Sequence, residues 1–399
     1  MSARPARGDR WSSWAMCFLN RRAGDLEKEK IGGGLAGFIM ASVMFANILI
    51  IGFYMGSERD VWISLLLSLT LVIPLILIYA RLTRLMPGMD IYGMAKAAFG
   101  KIGAGIVAFA FGFYCLHLAS LTLGNYSEFI HLTALFKTPF IVIALGFFVV
   151  CIYIVQSGIQ TLGKWSALTS VIGLAVLIII TALSTGQMDF SRLLPVMDDG
   201  FGEITVGALR AVPLHFGDAV VTLTLIGGLK SKKSPKSIYI ISTVAVALIL
   251  ILIFIRNCTL MGTAMVKSAF FPTYKSVSLI KVSYFLERIE SVLFLVYITL
   301  GMTKISVCII GAAKGAATLF RLPSYKAMTV PVGFIAFALS SNLFHNIDQM
   351  FNFLEVYNYY ALIFQVLIPV ALWITAEVKH AAQKRKSLGS YQNEKLNSA

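Results

Sequence analysis

Charged residues are scarce in this sequence: they occupy 13% of its 399 positions, whereas hydrophobic residues occupy 58%. An ordinary soluble domain is roughly a quarter charged. Water could not solvate the surface of a chain with so few charges and so many apolar side chains. The composition therefore excludes a soluble globular protein and indicates an integral membrane protein.

The sequence motifs of soluble enzymes and metal sites are also missing. There is no P-loop, no HExxH and no GxSxG after a predicted strand, and Gly32-Gly33-Gly34 precedes an apolar run without any strand before it. The cysteines show neither CxxC nor Cys/His spacing, and all but Cys17 lie in apolar runs: Cys17, Cys115, Cys151, Cys258 and Cys308. We therefore expect no enzymatic activity, no cofactor, no metal and no disulfide.

A sustained alternation of polar and apolar residues, which membrane β-strands would show, is absent as well. The apolar residues instead form runs of about 18 to 30, long enough for an α-helix to cross about 30 Å of hydrocarbon. The predicted fold is an all-α membrane protein of about ten transmembrane helices. The predicted spans are 35–53, 62–82, 103–131, 139–155, 165–183, 205–229, 238–261, 284–313, 328–343 and 353–374.

The distribution of basic residues predicts the orientation. With ten spans, the two tails and alternate loops hold about 24 Lys and Arg, against about six in the opposite loops, which is the asymmetry of the positive-inside rule. Both termini are thus predicted to be cytoplasmic. The net charge of +15 is attributed to contact with the lipid bilayer and not with nucleic acid. We divide the chain into a basic tail (1–30), one helical bundle (31–378) and a basic, disordered tail (379–399).

Two predicted spans carry residues that disfavour a continuous helix. In the first, Asn47 interrupts an apolar run, and in the sixth, residues 211–218 read AVPLHFGD. Pro213 lacks an amide hydrogen and clashes with the preceding turn, and Gly217 has low helix propensity. We therefore expect the sixth helix to unwind near the middle of the bilayer, where only protein or a cavity can cover the freed backbone groups.

An unwound segment offers amide hydrogens to a carboxylate and carbonyl oxygens to an ammonium group, a combination that suits an amino acid. Asp218 would attract the amine, and His215 would donate or accept according to its protonation. Two alternatives stay open. In the sixth span, Pro213 would only kink the helix while His215 and Asp218 pair with each other or with a neighbouring helix. In the first span, the Asn47 amide would only form a hydrogen bond between helices.

Other polar side chains fall inside predicted spans. His117 is predicted to form a hydrogen bond between helices, and the 287–290 segment (Glu287, Arg288, Glu290) an ion cluster at a helix end. Tyr297 and Lys304 lie on one side of the eighth helix, where Lys304 would replace a sodium ion or extend toward the cytoplasm. Arg256, near the end of the seventh span, has no assigned role.

A series of short segments in a constant order resembles one family. They are Lys30-Ile31, Asp60-Val-Trp-Ile-Ser, Met86-Pro-Gly with Ala98-Phe-Gly-Lys, Thr138-Pro139, Gly158-Ile159, Leu193-Leu-Pro-Val-Met-Asp-Asp-Gly200, and Phe271-Pro272 with Phe285-Leu-Glu-Arg-Ile-Glu290. Together they resemble the spore permease family over about residues 30 to 378. That family contains the B-type membrane subunits of endospore nutrient-germinant receptors and belongs to the amino acid/polyamine/organocation transporter superfamily.

The resemblance implies a subunit in the cell membrane or spore inner membrane that recognises a small nutrient, often an amino acid, together with A-type and C-type partner subunits. It also implies two inverted five-helix repeats with the ligand between broken helices one and six. The implied ligand-binding positions are Ala46, Asn47, Ile48, Val212, Leu214, His215, Phe216, Gly217 and Asp218, with Pro213 at the helix break. Tyr114 and Tyr297 are added as candidates. Ala46 and Ile48 stand where the superfamily usually has glycines, and their side chains hinder close approach to the backbone.

Two functions share these residues. The first is a ligand-sensing receptor subunit, and the alternative is a secondary amino acid transporter, coupled to protons through Asp218 or His215 or driven by the substrate gradient alone. An ion-conducting subunit is disfavoured, because the sequence contains no ring-forming selectivity segment.

Overall fold

The computed structural model describes residues 30–50, 59–198, 200–230, 235–280, 290–344 and 346–397, with the backbone alone at 49–50, 230 and 383–397. Its α-helices are α1 (Gly33–Phe45), α2 (Val61–Leu85), α3 (Ile91–Thr133), α4 (Phe140–Gln156), α5 (Ile159–Ser184), α6 (Gly200–Ala211), α7 (Pro235–Met261), α8 (Thr263–Ser268), α9 (Pro272–Ser278), α10 (Glu290–Leu319), α11 (Lys326–Ser340), α12 (Ile347–Leu362) and α13 (Ile368–Asn397). Two short strands pair in parallel. They are β1 (Ile31–Gly32), just before α1, and β2 (Leu229–Lys230), at the end of the sixth predicted span.

The described chain contains seven helical segments that are long and apolar enough to cross a membrane. They are Val61–Leu85, Ile91–Thr133, Ile159–Gln187, Gly200–Thr224, Pro235–Met261, Glu290–Leu319 and Ile347–Ala382. Shorter apolar helices lie within the regions of the predicted first, fourth and ninth spans: Gly33–Ile48, Phe140–Gln156 and Lys326–Ser340. The protein is thus an α-helical, multi-pass membrane protein, as predicted. The count of ten crossings, the inverted repeats and the cytoplasmic position of both termini stay predictions.

Helices α3 and α10 pack along each other at the centre of the bundle. Gly112 and Gly315 allow this approach: a Cβ atom on Gly315 would lie 2.9 Å from both the Ala108 carbonyl oxygen and the Gly112 Cα. Close packing of small residues stabilises helix pairs in a membrane, where lipid removes the hydrophobic contribution to association. The pair places side chains of α3 and α10 next to the sixth span.

The carboxyl-terminal tail differs from the prediction. The backbone of α13 continues as a helix to Asn397, although residues 379–399 were predicted to be disordered. Residues of high helix propensity such as Ala, Lys, Gln and Glu are frequent there, and they favour a helix that continues past Gly389. The domain limits at residues 30 and 378 stay predictions, and Cys17, Glu287 and Arg288 lie outside the described residues.

Candidate functional site

The first span breaks where the sequence predicts. Helix α1 ends at Phe45, and residues Ala46–Ile50 continue as a 3₁₀-helix. The Ala46 carbonyl oxygen accepts a hydrogen bond of 2.7 Å from the hydroxyl of Tyr126 on α3. This bond satisfies a carbonyl group at the change of helix type, where the regular α-helical pattern stops.

The sixth span also breaks, but less than predicted. Helix α6 ends at Ala211, a π-helical turn covers Val212–Phe216, and a 3₁₀-helix covers Gly217–Thr224. Because Pro213 cannot donate an amide hydrogen, one hydrogen bond of the α-helical pattern is missing there, and the ring crowds the preceding turn. The chain changes its helical pitch there, whereas we expected it to unwind.

Side-chain amides cover two carbonyl groups of the π-helical turn. Nδ2 of Asn47 donates to the Leu214 carbonyl oxygen, and Nε2 of Gln365 donates to the Pro213 carbonyl oxygen at 2.9 Å. We expected free carbonyls here to bind a ligand ammonium group. In this conformation the protein's own amides occupy them.

The carboxylate of Asp218 joins the two breaks to three further helical segments. Its Oδ2 atom accepts bonds from Lys304 Nζ at 2.6 Å and Asn47 Nδ2 at 2.9 Å. Its Oδ1 atom accepts from three side chains: Tyr357 (2.6 Å), Tyr114 (3.0 Å) and Gln365 (3.1 Å). We call Asn47, Tyr114, Asp218, Lys304, Tyr357 and Gln365 the Asp218 cluster.

Lys304 is the cationic partner in this cluster. Its side chain is 1% exposed, and Nζ also donates to Oδ1 of Asn47 at 2.6 Å. The alternative in which Lys304 extends toward the cytoplasm is therefore wrong, since a buried ammonium group is stabilised far better by a carboxylate than by apolar surroundings. Asn47, Asp218 and Lys304 thus form a closed triangle of hydrogen bonds between the first, sixth and eighth spans.

Gly217 leaves the space that Gln365 fills. A Cβ atom at position 217 would overlap Oε1 of Gln365. The carbonyl group of Gln365 lies in the π-helical turn Ile363–Leu367 and accepts a bond of 2.5 Å from the hydroxyl of Tyr79 on α2. A side chain at position 217 would displace the Gln365 amide from Asp218.

The structure brings some predicted site residues together and separates others. Asn47, Tyr114 and Asp218 are directly hydrogen-bonded, and Gly217, Leu214 and Pro213 contribute backbone to the same region. His215 is fully buried there, with neither ring nitrogen hydrogen-bonded. Ile48 and Phe216 are buried in the hydrophobic core, and Val212 is partly buried. Tyr297 lies apart from the Asp218 cluster, with its ring 6.1 Å from that of Phe129.

Sequence analysis did not identify Tyr357 and Gln365, and it did not include Lys304 among the site residues. Gln365 carried a usable signal, because a lone amide inside an apolar run is costly in a membrane unless it is bonded. Tyr357 carried none, since Tyr359 and Tyr360 lie beside it and Tyr359 is 80% exposed. His117 forms the predicted contact between helices, with Nδ1 3.2 Å from the Tyr360 hydroxyl.

Residues 35–349 match the protein-family model Spore_permease, described as spore germination protein. The chain belongs to this family. Its relatives include spore germination protein KB of Bacillus subtilis, 24% identical over 86% of this chain and 95% of the relative. They also include GerQB of Bacillus cereus, 24% identical over 88% of this chain and 93% of the relative.

Solved transporters share the fold. The structure of MhsT in complex with L-phenylalanine has a TM-score of 0.59 and 14% identity over 85% of this chain and 97% of MhsT. The nucleobase-cation-symport-1 transporter MHP1 has a TM-score of 0.60 and 15% identity over 91% of this chain and 94% of that chain. At these identities the likeness shows a common transporter fold.

Proposed function

We propose that this chain is the membrane subunit of a spore nutrient-germinant receptor that binds a small zwitterionic nutrient, in the first instance an amino acid, at the Asp218 cluster. Its A-type and C-type partner subunits would take part in signalling. The subunit would lie in the spore inner membrane with both termini cytoplasmic. The family and the transporter fold support this proposal at the level of germination and of a small-molecule site.

The buried ion pair of Lys304 and Asp218 carries the proposal. Both side chains are 1% exposed and lie 2.6 Å apart. A ligand that carried only an ammonium group would pair with Asp218 and leave Lys304 without a counter-charge. A ligand that carried only a carboxylate would pair with Lys304 and leave Asp218 without one. Removing one partner of a buried pair is strongly unfavourable. A zwitterion can separate the pair while it neutralises both charges.

Insertion of a ligand between these charges also supplies a signal. Asp218 lies in the 3₁₀-helix of the sixth span, and Lys304 lies on α10. A zwitterion between them would move the two segments apart, so the ligand would favour a conformation that differs from this closed one. A ligand shifts a conformational equilibrium by its difference in affinity for the two states. Partner subunits in contact with either segment could detect the change.

The proposal is tested by the melting temperature of the purified full-length chain with a panel of amino acids. For each amino acid that raises it, the amine without the carboxylate and the acid without the amine are measured at the same concentrations. Because ligand binding stabilises the folded form, we expect a saturable increase with the zwitterion that Asp218→Asn removes. An equal increase with the amine or the acid that Asp218→Asn also removes would contradict the ion-pair argument.

Two variants locate the site, and a third serves as the control. Asp218→Asn removes the carboxylate charge, Gly217→Val displaces Gln365, and both should abolish the response to nutrient while the protein stays in the membrane. Gly146→Val on α4 is the matched control, because a Cβ atom there would meet no atom within 4 Å. An unchanged dose dependence in both test variants would exclude the sixth span as the site.

A secondary amino acid transporter is the alternative function. Its support is the transporter fold together with buried, titratable groups at the break, Asp218 and His215, which could carry a proton across. Uptake of a radiolabelled amino acid into proteoliposomes that contain only this chain separates the two functions. Robust accumulation would overturn a purely sensory role, and binding without accumulation would support the receptor.

A further inference from the structure

Arg256 is a buried cation that the Asp218 cluster does not use. It lies on α7 with 0% of its surface exposed. Nη2 donates to Oδ1 of Asn257 at 3.2 Å, whereas Nε and Nη1 have no hydrogen-bond partner. No carboxylate within the described ranges forms an ion pair with this guanidinium group. A charge inside a membrane protein without a partner indicates a functional site.

The groups around Arg256 come from three helices. Asn257 is held by α9, since its Nδ2 donates to Thr273 Oγ1 at 3.0 Å and its Oδ1 accepts from Ser276 Oγ at 2.7 Å. The hydroxyl of Tyr297 on α10 is buried and lies close to Arg256 and to the hydroxyl of Thr273. We call Arg256, Asn257, Thr273, Ser276 and Tyr297 the Arg256 cluster.

The unused groups define the chemistry of the missing partner. The guanidinium nitrogens can only donate hydrogen bonds, and the Tyr297 hydroxyl can donate one. An acceptor with a single negative charge would satisfy these donors and neutralise Arg256, whereas a dianion would bring an excess charge. A carboxylate meets both conditions, and its planar shape matches the arrangement of donors on a guanidinium group.

We propose that the Arg256 cluster is a binding site for the carboxylate group of a small monoanion. Tyr297 and Lys304 are seven residues apart on α10, so the site lies about 10 Å along the helix from the ion pair of the Asp218 cluster. Helix α9 packs against the 3₁₀-helix Ala46–Ile50, so the site borders the first break. This inference does not depend on what the Asp218 cluster binds.

The test uses sodium propionate and the purified full-length chain in a buffer without halide or other carboxylates. We expect the melting temperature of the wild-type chain to rise with propionate and to saturate, because the anion binds the folded form. Arg256→Gln should remove the rise. Tyr297→Phe should raise the half-saturating concentration about tenfold, the loss expected for one hydrogen bond to a charged group.

Matched variants separate this site from general effects of charge. Arg84→Gln removes an exposed arginine of α2 and should leave the propionate response intact. Arg256→Lys keeps the charge but loses the planar donors, so it should weaken the response and provides a second variant if Arg256→Gln does not fold. A wild-type response that survives in both Arg256 variants would overturn the proposal, as would the absence of any response in the wild-type chain.

Two further arms identify the source of the carboxylate. The first arm measures alanine with the Asp218→Asn variant and with the double variant that also carries Arg256→Gln. A rise in melting temperature in the first that is lost in the second would show that amino acid carboxylates occupy the Arg256 cluster as propionate does. Sodium chloride is compared at the same ionic strength. A chloride response equal to that of propionate would overturn the carboxylate assignment. A propionate response lost in Lys304→Met but kept in Arg256→Gln would place the anion at Lys304 and overturn the proposal.

Discussion

The Asp218 and Arg256 clusters each bury a basic side chain, but they differ in how its charge is balanced. Lys304 contacts a carboxylate and an amide oxygen, both at 2.6 Å. Arg256 contacts one amide oxygen at 3.2 Å. The charges of the first cluster are thus balanced without a ligand, and the cluster must open to admit one. Among the described residues the second has no carboxylate, so an anionic ligand would balance its charge.

Removal of the Asp218 carboxylate should lower the free energy of unfolding more than any other change in either cluster. Asp218→Ala leaves Lys304 buried with only an amide partner, and we expect the free energy of unfolding to fall by about 3–5 kcal/mol. Reversible unfolding of the purified chain in detergent measures it. Addition of Lys304→Met to the same chain should recover part of the loss, because the remaining charge is then removed. Strictly additive effects of the two substitutions would show that the pair is not coupled.

Removal of the Tyr357 hydroxyl tests how much one hydrogen bond to the Asp218 carboxylate contributes to stability. Tyr357→Phe removes a bond of 2.6 Å to Asp218, and we expect a loss of about 1.5–3 kcal/mol, as for other bonds to charged groups. Tyr359→Phe, two residues away and 80% exposed, is the control and should have little effect. Equal losses in the same unfolding experiment would mean that the bond to Asp218 contributes nothing specific.

Substitution of Arg256 should change the stability least, and it tests whether the charges of the two clusters are balanced differently. Because no carboxylate of the described chain pairs with its charge, Arg256→Met without any ligand should leave the free energy of unfolding unchanged or raise it by about 1 kcal/mol. The same unfolding experiment measures this change, with Arg84→Met as the exposed control. A loss as large as that of Asp218→Ala would show that the folded protein already balances the charge of Arg256.

Several features of the site follow from local sequence. The interruption of an apolar run at Asn47 and the segment from Pro213 to Asp218 predicted both changes of helix type, because helix propensity and the missing amide of proline act within one or two turns. The degree of disruption did not follow. Gln365 and Asn47 bond the freed carbonyls of the sixth span, and these bonds allow the chain to remain helical instead of unwinding.

The membrane class, the approximate span positions and the two breaks were predictable from the sequence, since the length of an apolar run and the residues that interrupt it are local properties. The side chains that meet across the bundle were not. Lys304 lies 86 residues from Asp218, and Gln365 lies 147 residues from it. Such partners depend on how whole helices pack and rotate against one another. The same packing pairs Lys304 with a carboxylate and brings none of those in the described ranges to Arg256.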